Sequence, residues 1–303
     1  MAINKAMQLA LKALSYQDID IKKSRNLVEL KTIDPFKAFY KTVDYKIYND
    51  NYEIPTRIYF PEEQIKDCPV LFFIHGGGWV TESVETYNRV CANMAKYTGH
   101  AVVAVDYRLA PEHHFPIGLL DCYAVAKAIY TQRFILNVDP ERITVIGDSA
   151  GGNLAAAVCL MARDRGEFFP KKQILIYPCT NNDYTETSVY PSMKENGKGY
   201  LLTAKRLNQY ITMYQSSEED RNNPYFAPVI AKDLKNQPDT LIITAEYDPL
   251  RDEGEDYGRK LKEAGNKVKI HRIPDALHGF FALGIQYSPV KKSYELINQF
   301  LAE

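Results

Sequence analysis

Between Val70 and Ile273 the chain alternates short apolar runs with longer amphipathic stretches, and this rhythm constrains its fold more than any other feature. Val70–Ile74, Ala101–Val105, Ile143–Ile146, Ile174–Tyr177, Leu241–Thr244 and Val268–Ile273 read as strands. Runs this apolar must be covered on both faces, which is the condition of a mostly parallel sheet flanked by helices. The covering helices are expected near Glu85–Tyr97, Ile117–Tyr130, Ala150–Arg163 and Gly254–Ala264, with a last one running to Phe300 from Ser288 as N-cap and Pro289 at its first position. The spacing therefore predicts an α/β fold with no internal repeat.

Ahead of this region, Val43–Tyr48 and Ile54–Phe60 flank the turn-rich Asn49-Asp50-Asn51 and read as a hairpin, with Pro55 favouring an edge position. Ile3, Ala6, Met7, Ala10, Leu11 and Leu14 recur at helical spacing, so an amphipathic amino-terminal helix is expected with one stripe to bury. Between Tyr177 and Leu241 lie about sixty residues, far more than an ordinary helix–strand connection. This Tyr-rich insertion carries a helix candidate from Thr203, with Leu207, Tyr210, Ile211 and Tyr214 on one face. The expected organisation is a core of residues 43–179 and 232–303, covered by a cap made from 1–42 and 180–231.

With 37 Lys+Arg against 38 Asp+Glu, the net charge of -1 supplies no field to draw nucleic acid or anionic lipid. No apolar run reaches the roughly 18 residues of a membrane span, and Met1–Ser15 lacks the layout of a secretion signal, so a cytoplasmic protein is expected. The five cysteines have neither C-x-x-C nor Cys/His metal spacing. They read as reduced, buried thiols, and neither a metal nor a cofactor is expected.

Chemistry concentrates at Gly147-Asp148-Ser149-Ala150-Gly151, a G-x-S-x-G pentapeptide between a strand-like run and an Ala-rich helix. The pentapeptide alone is a weak signal, but its setting is not. A serine on a sharp strand-to-helix turn needs small neighbours, and the helix amino terminus behind it favours a developing negative charge. Ser149 is thus the expected nucleophile. Its base is expected to be His278, which follows the last strand at the carboxyl end of the sheet, where open α/β folds place their sites. Asp248 follows the strand before it and is the expected orienting acid. Asp252 and Glu253 compete, but read better as helix-capping charges or partners of Arg251.

His75-Gly76-Gly77-Gly78-Trp79 follows the strand Val70–Ile74. Consecutive glycines let backbone N–H groups approach a ligand, and the loop matches the glycine loop of lipase and esterase oxyanion holes. The N–H groups of Gly77, Gly78 and Ala150 are the expected oxyanion donors, while His75 organises the loop. Trp79, Tyr184, Tyr200 and Tyr214 are expected to line the substrate pocket, the competing reading being that they merely fill the cap core.

These motifs, with DYRLAPEHHFP at 106–116, DPLRDEG at 248–254 and HGF at 278–280, closely resemble the hormone-sensitive-lipase-like branch of the α/β-hydrolases, the bacterial type IV esterases. The resemblance runs from about Val70 to the carboxyl terminus. It implies carboxylic-ester hydrolysis of a small-molecule ester without cofactor, a two-part cap, loops tied by Arg108 and Glu112, and a homodimer paired through an edge strand or the last helix. Short acyl chains, acetyl to about hexanoyl, fit the bulky cap aromatics. An amidase or peptidase with the same triad, or a non-catalytic ligand-binding relative, is the alternative.

Overall fold

The computed structural model describes residues 20–303 apart from 33, 36, 50, 62–67 and 133–137. The helix expected over Ile3–Leu14 lies outside the described residues. The described chain forms an 8-stranded sheet in the order β1-β2-β4-β3-β5-β6-β7-β8. β1 (Thr42–Asn49) and β2 (Tyr52–Tyr59) are the antiparallel hairpin, and β2 runs antiparallel to β4 (Ala101–Val105). From there β3 (Val70–Ile74), β5 (Ile143–Asp148), β6 (Lys172–Ile176), β7 (Asp239–Tyr247) and β8 (Val268–Leu277) are all parallel.

Every residue of β3 and β4 is buried, and the pleat divides their side chains between two cores. Phe72 and Ile74 pack with Leu119 and Leu154, from α3 (Ile117–Thr131) and α4 (Ala150–Arg165). Leu71 and Phe73 face the other way, toward Met94 and Ile297, from α2 (Asn88–Thr98) and α8 (Ser288–Leu301). α7 (Arg251–Glu263) joins the first layer through Tyr257 and Leu261. Unbroken apolar strands thus acquire helices on both faces, and each fully buried Leu, Ile or Phe contributes roughly 1.5–3 kcal/mol.

Two local expectations are corrected. Pro55 lies on β2, one strand in from the edge. Its carbonyl accepts from Asp106 N–H just past the last β2–β4 pair, so the N–H that proline lacks falls at the end of that ladder and interrupts none of its pairs. Ser288 is the first residue of α8 and Tyr287 the N-cap, because the Tyr287 carbonyl already accepts from Val290 and Lys291.

The segment after β6 holds α5 (Pro191–Asn196) and α6 (Ala204–Tyr214), the latter capped by the Thr203 side chain and burying Leu207, Ile211 and Tyr214. α1 (Ile21–Glu29) buries no residue of its own, and Leu27 on it and Leu30 just after it are exposed. It is tied down by Arg25, which donates to the Val80 and Ala110 carbonyls at 3.0 Å and to both Glu112 oxygens at 2.7 and 2.8 Å. Arg108 forks onto buried Asp121 at 2.8 and 2.6 Å, joining the loop after β4 to α3. Among the described residues no helix is long and apolar enough to cross a membrane. All five cysteines are buried.

The strand order reverses between β3 and β5, which places a crevice at their carboxyl ends. α4 approaches that crevice so closely that a Cβ on Gly151 would lie 2.1 Å from the Ile74 carbonyl oxygen. Gly166, which ends α4 at φ 66°, has open space around it. Gly151→Ala is expected to cost about 3 kcal/mol or more through forced backbone displacement. Gly166→Ala should cost only about 1 kcal/mol, for the left-handed backbone. Denaturant unfolding of the two variants checks the contrast, and equal losses would refute the close-approach argument.

Candidate active site

Ser149 sits on the turn between β5 and α4 with φ 55° and ψ -122°, a strained conformation costing roughly 1–3 kcal/mol. The turn closes only because its flanks are glycines: a Cβ on Gly147 would lie 2.2 Å from the Gly151 carbonyl oxygen. The neighbouring strand holds the turn in place. Ser149 N–H donates to the Ile176 carbonyl at 2.9 Å, and the Ser149 carbonyl accepts from Cys179 N–H at 3.2 Å.

Ser149 Oγ lies 2.8 Å from His278 Nε2, and His278 Nδ1 lies 2.7 Å from Asp248 Oδ2. Asp248 is fully buried, and its other oxygen accepts from Leu250 N–H at 2.9 Å. Three residues 129 and 30 positions apart thus form one hydrogen-bonded line. With the Asp248 carboxylate accepting at Nδ1, the ring carries its proton there and presents Nε2 to the hydroxyl as an acceptor.

Gly77 and Gly78 adopt φ 109° and 62°, and both border the same cleft as Ser149 and Ala150. Neither tolerates a side chain, since a Cβ would lie 2.2 Å from the Thr81 carbonyl oxygen at Gly77 and 2.6 Å from the Tyr210 ring at Gly78. Among the described residues no acceptor takes the N–H groups of Gly77, Gly78 or Ala150. His75 is buried and stacked on Tyr107 at 4.4 Å, and burial holds its pKa below the ordinary imidazole value. A neutral ring braced in this way, its Nδ1 2.8 Å from the Gly76 carbonyl, organises the loop and does not face the serine.

The cleft measures about 380 Å³ and takes in Ser149, His278, both glycines and Trp79, with Tyr210, Leu202 and Leu207 from the inserted segment and Leu27 and Val28 from α1. The aromatic expectations need correcting. Of the four named residues only Trp79 borders the cleft. Tyr214 lies behind it, stacked at 4.5 Å and 3°. Tyr184 points away, its hydroxyl buried against Cys179 Sγ and Glu253. Tyr200 stacks on Tyr247 at 5.7 Å. On α6 it is Tyr210 that covers Gly78, one helical turn from Tyr214, because the buried face of that helix is divided between the aromatic stack and the cleft.

Glu253 also departs from expectation. It neither caps α7 nor pairs with Arg251; it is fully buried and accepts from Thr180 N–H, Asn181 N–H and the Tyr184 hydroxyl at 2.7, 3.1 and 3.1 Å. Asp252 does pair with Arg251, at 2.8 Å, and accepts from Ser192 N–H. No sequence signal separates the two acids, since charges are ordinary in a first helical turn. Asp148 did carry one: a carboxylate ending an otherwise apolar strand must find buried donors.

A family model described as the alpha/beta hydrolase fold matches residues 71–282. The chain belongs to the α/β-hydrolase fold family. Within this family it falls in the hormone-sensitive-lipase-like branch. It is 36% identical to an arylesterase of Saccharolobus solfataricus, over 88% of this hydrolase and 85% of that protein. To an ethyl acetate hydrolase of Pseudomonas putida the identity is 35%, over 78% and 74% of the two chains. Among solved structures, a hyperthermophilic esterase of the archaeon Pyrobaculum calidifontis superposes with a TM-score of 0.88 at 37% identity, covering 99% and 98% of the chains.

Burial pushes the Glu253 carboxyl of this hydrolase up to about 8 against the pull of its three donors. An acid held above its ordinary value of 4.5 keeps its proton in the folded state, so its contribution is full below that value and is lost as pH rises toward about 8. Stability measured by denaturant unfolding is expected to fall between about pH 5 and 8, by up to about 1.4 kcal/mol per unit for such a group. Glu253→Gln, which keeps the acceptor oxygen, should flatten that fall; equal slopes in both proteins would refute it.

Proposed function

We propose that this protein is a serine carboxylesterase that cleaves short-chain acyl esters, acetyl to about hexanoyl, through an acyl-Ser149 intermediate. The observation that carries the reading is the unbroken line from Asp248 through His278 to Ser149 Oγ, opening into the same cleft as the N–H groups of Gly77, Gly78 and Ala150. Family membership makes the reaction class carboxylic-ester hydrolysis.

In this mechanism His278 Nε2 takes the serine proton as Oγ attacks the ester carbonyl carbon, and the imidazolium is held by Asp248. The oxyanion is received by Gly77, Gly78 and Ala150, each donor contributing roughly 3 kcal/mol to the transition state. Collapse breaks the bond to the alcohol, which leaves with the proton from His278. Water, deprotonated by the same nitrogen, then attacks the acyl carbon and releases the acid and Ser149.

The short-acyl preference is supported by the cleft's modest volume and by its aromatic wall. Trp79 cannot swing aside to admit a long chain, since it is 3% exposed and backed by Tyr214 and Phe226 in a continuous stack. α1 and α6, from the segments before β1 and after β6, act together as the cap, and both helices contribute to the cleft's outer wall.

Hydrolysis of p-nitrophenyl esters from acetyl to palmitoyl is the test. The maximum is expected at about two to six acyl carbons. Ser149→Ala should lower kcat at least about 1,000-fold. An optimum at lauroyl or longer would overturn the short-chain reading, and near-native turnover by Ser149→Ala would overturn the nucleophile.

A further inference from the structure

Asp148 immediately precedes the nucleophile and is 3% exposed, yet the G-x-S-x-G turn places no demand on this position. Its side chain gathers three donors from three parts of the chain. Oδ1 accepts from Gly76 N–H at 2.9 Å; Oδ2 accepts from the Tyr87 hydroxyl at 3.0 Å and the Tyr177 hydroxyl at 3.3 Å. Gly76 opens the glycine loop, and the loop rests directly on this carboxylate: a Cβ there would lie 2.9 Å from Asp148 Oδ2 and 3.2 Å from Ser149 Cβ. Tyr177 in turn lies against the base, its ring 4.8 Å from the His278 imidazole, with its backbone held at a positive φ of 35°.

We propose that Asp148 is a positioning residue for ester hydrolysis, one that pins the oxyanion loop at Gly76 and lends a second buried negative charge to the His278 imidazolium. The proposal rests on the serine-esterase reading above and adds a carboxylate to it. Three donors and no acceptor face the side chain, which is an environment built for the ionised form. Burial works against them and raises its pKa to about 6, with His278 opposing that rise and Glu82 adding to it. The other titratable groups facing it are Tyr87 at the N-cap of α2, Cys91 within α2, Tyr107 beside His75, and Tyr177 after β6. Burial holds these tyrosines and the Cys91 thiol well above their ordinary values, and His75 below its own, so they stay neutral where the enzyme works. The charges that matter around Asp148 are then those of His278 and Glu82.

Removing the charge and removing a donor have opposite consequences, and that separates positioning from mere packing. Asp148→Asn leaves an oxygen for Gly76 but no charge for the imidazolium. It is expected to lower plateau kcat on p-nitrophenyl butyrate about tenfold, with KM changing less than about threefold. The acid limb of its kcat/KM profile should move down by about half a pH unit. Tyr177→Phe keeps the ring against His278 but takes a donor from the carboxylate, so its acid limb should move up by a similar amount. A folded Asp148→Asn enzyme with wild-type kcat and an unmoved limb would overturn the proposal. If that variant does not fold, Tyr177→Phe decides, and an unmoved limb overturns it equally. Turnover surviving in Ser149→Ala would overturn the esterase reading itself and this inference with it.

Discussion

The site depends on the close approach of α4 to the end of β3 and the loop after it. Gly151 at the start of α4 packs against the carbonyls of Ile74 and His75 with no room for a methyl group, and Gly147 packs against Gly151 in the same way. Parallel register between β3 and β5, with Ile74 opposite Gly147, brings the two carboxyl ends level. The glycines then let the loop after β3 and the turn after β5 touch. The site is therefore an outcome of sheet register: slide either strand by one residue, and the glycine loop and the serine no longer share a cleft.

Around that contact the protein buries three carboxylates, Asp148, Asp248 and Glu253, and meets none of them with arginine or lysine among the described residues. Backbone N–H groups, tyrosine hydroxyls and one imidazole satisfy them instead. Neutral donors fix geometry in each case; where the carboxylate is ionised they do so without cancelling the field of its charge, which reaches further in a low-dielectric interior than in water, whereas burial keeps the proton on Glu253 up to about pH 8. Arg25 with Glu112 and Arg251 with Asp252 pair nearer the surface, where they fasten helices to the core, and Arg108 forks onto the buried Asp121 away from the site.

Much of this was legible before any coordinate. Apolar runs with no polar alternation can only be strands covered on both faces, so the parallel sheet and its helices followed from hydropathy. Gly147 and Gly151 around Ser149, and the glycines after His75, marked backbone that must be strained or closely approached. The aromatic residues were harder to place. Trp79, Tyr184, Tyr200, Tyr210 and Tyr214 are interchangeable in composition, and only the rotation of α6 and the path of the chain after β6 decide which of them meets the cleft and which meets the core.

The sequence by itself determined the fold class, the turn that carries Ser149, and His278 as a histidine at the carboxyl end of the sheet, because each is written in local pattern: periodicity, small residues and position after a strand. Position after a strand also put Asp248 forward as the orienting acid, but what Asp148 and Glu253 do in the interior was decided by the tertiary structure. Asp248 faces the imidazole, Asp148 gathers the glycine loop and two tyrosines, and Glu253 holds the start of the inserted segment. A carboxylate's role depends on the donors brought to it, and those donors come from residues far apart in the chain that only the folded sheet makes neighbours.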